Sequence, residues 1–175
     1  MTKYVAFLRG VNVGGRIIKM ADLKTCLETA GFKNVSTFLQ SGNVVLESAK
    51  KEPGLKAEIE NLITKTFKYP AKVQVVSISN LKQIINNYPF KAKEGFHNYI
   101  IFVENGLEKD FADEAPKFDR NIEQIKPGKG VVYWQVERGQ TLKSSCGKLL
   151  SKSKYKDFNT NRNINTLQKI AAASS

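Results

Sequence analysis

The sequence is poor in the residues that most often build metal and redox sites. Among 175 residues it has two cysteines, Cys26 and Cys146, and one histidine, His97. Neither cysteine has the spacing of a zinc site, so the sequence predicts no bound metal and no other cofactor. So few cysteines, without a paired pattern, are typical of a reducing compartment, and we expect a cytoplasmic protein.

Long hydrophobic runs are also missing. The apolar stretch near the N-terminus, Tyr4 to Leu8, is interrupted by Arg9 and is too short for the core of a signal peptide. No later stretch approaches the roughly 20 apolar residues that cross a bilayer. The sequence therefore predicts a protein without a membrane anchor.

Acidic residues are scarce relative to basic ones. The 28 Lys and Arg against 16 Asp and Glu give a formal net charge of +12, which makes nucleic acid one candidate partner. The excess is even, +6 over residues 1–78 and +6 over the remainder, and only five of the basic residues are arginines, which favour bidentate phosphate contacts. This distribution favours solvated lysines over a nucleic-acid surface.

Hydrophobic periodicity over residues 1–78 predicts the element order β-α-β-β-α-β. Strands are predicted over 3–8, 35–40, 44–47 and 71–77, and helices over 20–30 and 53–67. Ser41-Gly42-Asn43 has the backbone freedom of a tight hairpin turn between the second and third strands. This is the split order called ferredoxin-like.

The hydrophobic pattern of residues 79–175 predicts a connecting helix over 79–88. After it, the pattern predicts a less regular version of the β-α-β-β-α-β order. Predicted strands cover 98–103, 122–125, 131–136 and 155–158, and predicted helices cover 107–111 and 142–150, followed by a final helix after residue 163. We therefore predict an α+β protein of two ferredoxin-like subdomains, residues 1–78 and 79–175, packed together with a C-terminal helix.

The densest cluster of glycines and side-chain donors follows the first predicted strand, from Arg9 to Gly15. Glycines let the main chain present its N–H groups, Arg9 offers a planar guanidinium and Asn12 an amide. In a ferredoxin-like sheet the first and second strands end at one edge, which brings Ser41 and Asn43 to this loop. The pattern predicts a site for a small anionic or phosphorylated ligand, although a plain hairpin turn also explains Ser41 to Asn43.

A third polar segment, Asn159-Thr160-Asn161-Arg162-Asn163, precedes the final predicted helix. The N-terminal amides of that helix and the Arg162 guanidinium suit an anion, and a helix cap at Asn163 or Asn165 is the alternative. The residues predicted to bind the ligand are Arg9, Asn12, Gly14, Gly15, Ser41, Asn43, Arg162 and Asn163.

No catalytic signature is complete. The segment from Gly10 to Gly15 has the glycine spacing of a Walker loop, but Arg16 and Ile17 stand where that loop has lysine and a hydroxyl residue. Ser145 and Lys148 fit S-x-x-K without its companion motifs. His97, Cys146 and Lys148 are the candidates for catalysis, and whether the protein is an enzyme stays open.

Aromatic residues over 96–102 depart from the spacing of an RNA-recognition motif. That motif has a basic residue before its glycine, whereas this chain has the acidic Glu94 before Gly95. Tyr99 and Phe102 are therefore predicted to fill a core or an interface between the halves, and not to stack on bases.

Three segments taken in order, Leu8 to Gly15, Lys19 to Leu23 and Gln40 to Val45, closely resemble the bacterial family called domain of unknown function 1697. The resemblance extends to Lys148-Leu149-Leu150 and to Asn161 through Thr166, while Gly147 stands where we expect serine in many relatives. It implies an α+β fold of two related subdomains in a small, usually cytosolic bacterial protein without an assigned activity or cofactor. The resemblance depends on the same eight positions that we predict to bind the ligand.

Overall fold

The computed structural model describes residues 1–11, 15, 17–39 and 42–175. Within these residues it contains two four-stranded antiparallel sheets and six α-helices, so the predicted α+β class is confirmed. The chain divides into two compact units, one formed by Met1–Gln83 with Ile170–Ser175 and the other by Ile84–Lys169.

Strands and helices alternate in the first unit. In chain order they are β1 (Thr2–Arg9), α1 (Met20–Thr29), β2 (Lys33–Phe38), β3 (Asn43–Ser48), α2 (Glu52–Phe67) and β4 (Lys72–Ser77). The sheet order is β2-β3-β1-β4, and every neighbouring pair is antiparallel. The central strands β1 and β3 have continuous apolar runs because successive residues are buried on both of their faces.

One stripe of α2 forms much of the core of the first unit. Leu55, Ile59 and Ile63 recur every four residues and are fully buried, as expected for the inward face of an amphipathic helix. They belong to one apolar cluster with Leu23 and Leu27 of α1 and with apolar residues of the sheet. Both helices therefore cover the same face of the first sheet.

The second sheet repeats the strand order of the first. The remaining elements are α3 (Ile78–Asn86), β5 (Phe96–Val103), α4 (Leu107–Glu114), β6 (Glu123–Gly128), β7 (Val131–Glu137), α5 (Ser145–Leu150), β8 (Asn159–Asn163) and α6 (Ile164–Ala173). Their sheet order is β6-β7-β5-β8, again with antiparallel neighbours. Its core is built around Trp134 and Phe111, both fully buried.

The strand predicted over Tyr155 to Phe158 is wrong. These residues form turns, and Tyr155 packs in the core against Phe111 with ring centroids 5.4 Å apart. The fourth strand is β8, the asparagine-rich segment that the sequence predicts to be a loop, and it pairs with β5. Asn159 is tolerated there because its amide donates to the carbonyl of Tyr155 at 2.7 Å.

Helix α5 begins three residues later than predicted. Ser144 stands immediately before it in an extended conformation, and its Oγ accepts the Gly147 N–H at 3.1 Å. Such an N-cap fixes the first residue of a helix at the next position, Ser145. No helix among the described residues is long and apolar enough to cross a membrane.

Candidate anion site at one end of the first sheet

Four strand termini lie at one end of the first sheet. Strands β1 and β2 end there, and β3 and β4 begin there. The pairing of Phe7 and Phe38 with Asn43 shows this for β1, β2 and β3, and the pairing of Arg9 with Lys72 shows it for β4. The Gly42 carbonyl accepts the Leu8 N–H at 2.8 Å, and Gly42 also lies beside Val11. The two loops that the sequence places at a common edge are therefore in contact at their described residues.

Arg9 and Lys72 occupy directly paired positions on β1 and β4 at this end. Residues paired across antiparallel strands lie on one face, with Cβ atoms about 4.5–5.5 Å apart. Arg9 is half-buried and Lys72 is exposed. Two cationic side chains at directly paired positions can contact one anion together.

The chain turns directly after Arg9. Gly10 has φ of +71°, in the left-handed region that glycine adopts without strain. Gly15, one of the predicted ligand-binding residues, is exposed. Three other predicted residues, Asn12, Gly14 and Ser41, lie outside the described residues.

Asn43 is fully buried at the start of β3. Its Nδ2 donates to the carbonyl of Phe38 at 3.0 Å and so closes the hairpin between β2 and β3. The hairpin interpretation accounts for this contact. A role of Asn43 in binding a ligand stays a prediction.

Arg162 and Asn163 belong to the second unit. Arg162 Nη1 donates to Thr160 Oγ1 at 2.7 Å and to the Asn161 carbonyl at 2.9 Å. Asn163 Oδ1 accepts the Asn165 N–H at 2.9 Å, so Asn163 is the N-cap of α6 and the capping alternative is confirmed for it. A role of either residue in binding a ligand stays a prediction.

Sequence reasoning missed a buried carboxylate in the second unit. Glu123 is only 2% exposed. Its Oε2 accepts the Trp134 indole N–H at 3.0 Å, and both carboxylate oxygens accept the Cys146 N–H, at 3.2 and 3.3 Å. The available signal was the alternation of side chains in β6. Glu123 stands two residues from Ile125, which is partly buried against the core, so both side chains lie on the same face of the strand.

The three candidates for catalysis lie in unremarkable surroundings. Burial, reinforced by the nearby Glu123 carboxylate, raises the pKa of the Cys146 thiol well above its ordinary value, which makes it a poor nucleophile. Lys148 is exposed on α5, and His97 packs beside Tyr99 with ring centroids 5.7 Å apart. Within the described part of the chain, no three His, Cys, Asp or Glu side chains are placed to hold a metal ion.

Two aromatic residues of β5, Tyr99 and Phe102, lie against or within apolar cores. Tyr99 stacks at a tilt on Trp134 with ring centroids 5.3 Å apart and packs against the core of the second unit. Phe102 is 2% exposed. Phe102 therefore lies in a core and Tyr99 packs against one, as predicted.

Comparison with known proteins identifies relatives and a common fold. Residues 1–133 match the family described as "Protein of unknown function (DUF1697)". No curated protein matches the chain. Among solved structures, the conserved bacterial protein SP0830 from Streptococcus pneumoniae is similar, with a TM-score of 0.80, 23% identity and 99% of each chain covered. At this identity the likeness concerns the fold alone.

Proposed function

Because the chain belongs to the DUF1697 family of proteins of unknown function, we propose a function from the chemistry of its own residues. It binds a small anionic or phosphorylated ligand at the end of the first sheet where β1 meets β4. One observation supports this proposal above all others, namely that Arg9 and Lys72 stand opposite each other at the strand ends. We place this activity in the cytoplasm, since both cysteines are free thiols.

The two cations differ in what they contribute. The Arg9 guanidinium supplies paired N–H donors in one plane, which suits two oxygens of a phosphate or carboxylate. The Lys72 ammonium is a compact charge on a flexible stem and adapts to ligands of different shape. Gly10 lacks a side chain, and a Cβ added there would have no described atom within 4 Å, so the main chain beside Arg9 leaves room for a ligand.

The proposal includes the ferredoxin-like arrangement for each unit. The strand order β2-β3-β1-β4 with antiparallel neighbours supports it for the first unit, and β6-β7-β5-β8 repeats that order in the second. In this arrangement the loop after β1 and the turn before β3 lie at the same end of the sheet, where Arg9 stands.

Calorimetry with inorganic phosphate, pyrophosphate and a panel of phosphorylated metabolites tests the proposal. Ligand binding raises the melting temperature by an amount that grows with the logarithm of the ratio of ligand concentration to Kd, so thermal shift at one ligand concentration selects the ligands. Losing a charge-assisted hydrogen bond costs about 1.5–3 kcal/mol, so Arg9→Ala weakens the Kd roughly tenfold or more. Lys72→Ala has a smaller effect in the same direction.

Lys33→Ala is the matched control. Lys33 is an exposed lysine on β2, the other edge strand, and pairs with Glu47 at the opposite end of the same sheet. The variant Lys33→Ala removes one positive charge from the same unit, and we expect it to leave the affinity for the small anion unchanged. Equal affinities in Arg9→Ala and the unmodified protein would remove Arg9 from the site.

Nucleic acid is the second candidate ligand, favoured by the net charge of +12. Fluorescence anisotropy with labelled single-stranded and duplex oligonucleotides at two salt concentrations distinguishes nucleic-acid binding from binding of a small anion. Binding through general charge weakens steeply with salt, and Arg9→Ala and Lys33→Ala reduce it to similar extents. A small-anion site responds to Arg9→Ala alone, and an absence of oligonucleotide binding at low salt dismisses this candidate.

A further inference from the structure

Strand β4 is an edge strand of the first sheet, so only one of its sides pairs with another strand. The other side presents every second backbone N–H group, and carbonyl oxygens of a strand from another molecule can accept hydrogen bonds from these groups. Side chains of α2 bond to three N–H groups on this side. The bonds are Ala71 N–H to Thr64 Oγ1, Val73 N–H to Glu60 Oε1 and Ser77 N–H to Glu52 Oε1, each 3.0 Å long.

The spacing of these contacts follows from the two backbone geometries. Four residues of an α-helix rise about 6 Å. Two residues of a strand rise about 6.6 Å. The two elements run in opposite directions, so every fourth position of α2 lies beside every second position of β4. The matched positions are 52 and 77, 56 and 75, 60 and 73, and 64 and 71. Position 56 is a lysine, which has donors but no acceptor.

The segment that these side chains cover is suited to pairing with itself. Residues 73–77 of β4, Val-Gln-Val-Val-Ser, contain no charge and no proline. A short, β-branched and uncharged segment on an open edge is the pattern that favours association of identical strands. Hydrogen bonds to carboxylates are among the stronger ones in proteins, so an approaching strand has to displace them.

We propose that Glu52 and Glu60 close the outer edge of β4 and so prevent β4 from pairing with β4 of a second copy of the chain. The carboxylates occupy the N–H groups that an incoming strand needs, at both ends of the apolar segment. The second copy is the occupant because it supplies an identical strand with the same alternation. This inference does not depend on the proposed anion site.

The double variant Glu52→Ala/Glu60→Ala tests this inference. We expect amide exchange at Val73 and Ser77 to accelerate tenfold or more, and the mass measured by light scattering to rise with protein concentration. Glu52→Gln/Glu60→Gln keeps an acceptor oxygen at each position and behaves as the unmodified protein. Glu28→Ala/Glu58→Ala removes two carboxylates from α1 and α2 that pair with Lys24 and Lys50, and it leaves both measurements unchanged.

Three results would overturn the proposal: unchanged exchange at Val73 and Ser77 in the folded alanine variant, a mass that stays at the unmodified value, or association of the glutamine variant to the same extent. Circular dichroism establishes whether the alanine variant is folded. If the alanine double variant is not folded, the single variant Glu60→Ala replaces it. Faster amide exchange at Val73 and a mass that rises with concentration support the proposal, and unchanged values overturn it.

Discussion

Gly42 and Leu8 are joined by a 2.8 Å hydrogen bond and touch because residue 42 has no side chain. A Cβ atom on Gly42 would lie 2.9 Å from the Leu8 Cβ, closer than carbon atoms approach in folded proteins. The φ of Gly42 is +72°, which side chains other than glycine rarely adopt. The contact between the two loops beside Arg9 therefore requires glycine at position 42.

Gly42→Ala is expected to lower the free energy of unfolding by about 1–3 kcal/mol, because it adds both a steric clash and a strained backbone. Urea denaturation measures the change. Gly54→Ala is the control, since Gly54 lies in α2 with nothing within 4 Å of an added Cβ. That variant is expected to gain roughly 0.5–1 kcal/mol, and equal effects of the two variants would contradict the prediction.

Glu123→Gln is expected to destabilise the second unit by about 1–3 kcal/mol, because an amide has a single acceptor oxygen and its NH2 group would face one of the Trp134 and Cys146 N–H donors. Trp134 is the only tryptophan in the chain, so its fluorescence spectrum reports changes around its indole N–H. Glu137→Gln alters an exposed carboxylate on β7 and should leave the spectrum and the stability unchanged. Equal stability of Glu123→Gln and the unmodified protein would contradict the prediction that both N–H groups need the carboxylate.

The two thiols are expected to differ in reactivity. Cys146 is fully buried and its thiol pKa is raised by that burial, whereas Cys26 is partly exposed and contacts Thr66 Oγ1 at 3.4 Å. A colorimetric thiol reagent should modify one cysteine per folded chain and both after unfolding. Cys26→Ser should abolish the reaction of the folded protein. Rapid modification of Cys146 in that variant would contradict the burial.

Stability is expected to fall at acidic pH through Asp110. Its Oδ2 accepts hydrogen bonds from Lys154 Nζ at 2.6 Å and from the Tyr155 hydroxyl at 2.8 Å, and both lower the pKa of Asp110 below its ordinary 3.8. A carboxyl with a lowered folded-state pKa stabilises the protein above its unfolded-state pKa. That contribution is lost as the pH falls through the folded-state pKa.

Asp110→Asn should therefore be less stable than the unmodified protein above about pH 5, and the difference should shrink below about pH 4. Thermal denaturation across this range measures it. Asp113→Asn, which changes an exposed carboxylate of the same helix, is the control. A difference that is independent of pH would show that the contacts of Asp110 do not depend on its charge.

Hydrophobic periodicity predicted most elements because burial on one face decides where helices and regular strands form. The stripe of Leu55, Ile59 and Ile63 is an example, since its four-residue spacing is visible in the sequence and is fully buried in the structure. The same reasoning failed for β8. Its asparagines are poor strand formers, and they are held by pairing with β5 and by the bond from Asn159 to Tyr155, both invisible in a local pattern.

The candidate site was predicted in outline only. Glycines and Arg9 drew attention to the end of β1, but Lys72 was not part of the prediction because its position opposite Arg9 depends on the register of two strands distant in sequence. Asn43 illustrates the converse. A polar residue in a turn suggests a ligand contact, yet its amide is used inside the hairpin.

The C-terminal residues Ile170–Ser175 are part of the same compact unit as Met1–Gln83, with Lys3 Nζ donating to the Ser174 carbonyl at 3.1 Å. The whole of Ile84–Lys169 is synthesised between them. At translation rates of about 5–20 residues per second, the amino-terminal sheet waits on the order of ten seconds for the segment that completes its packing. During that interval the first sheet lacks the contacts that the last residues of the chain make with it, including the bond from Lys3 to Ser174.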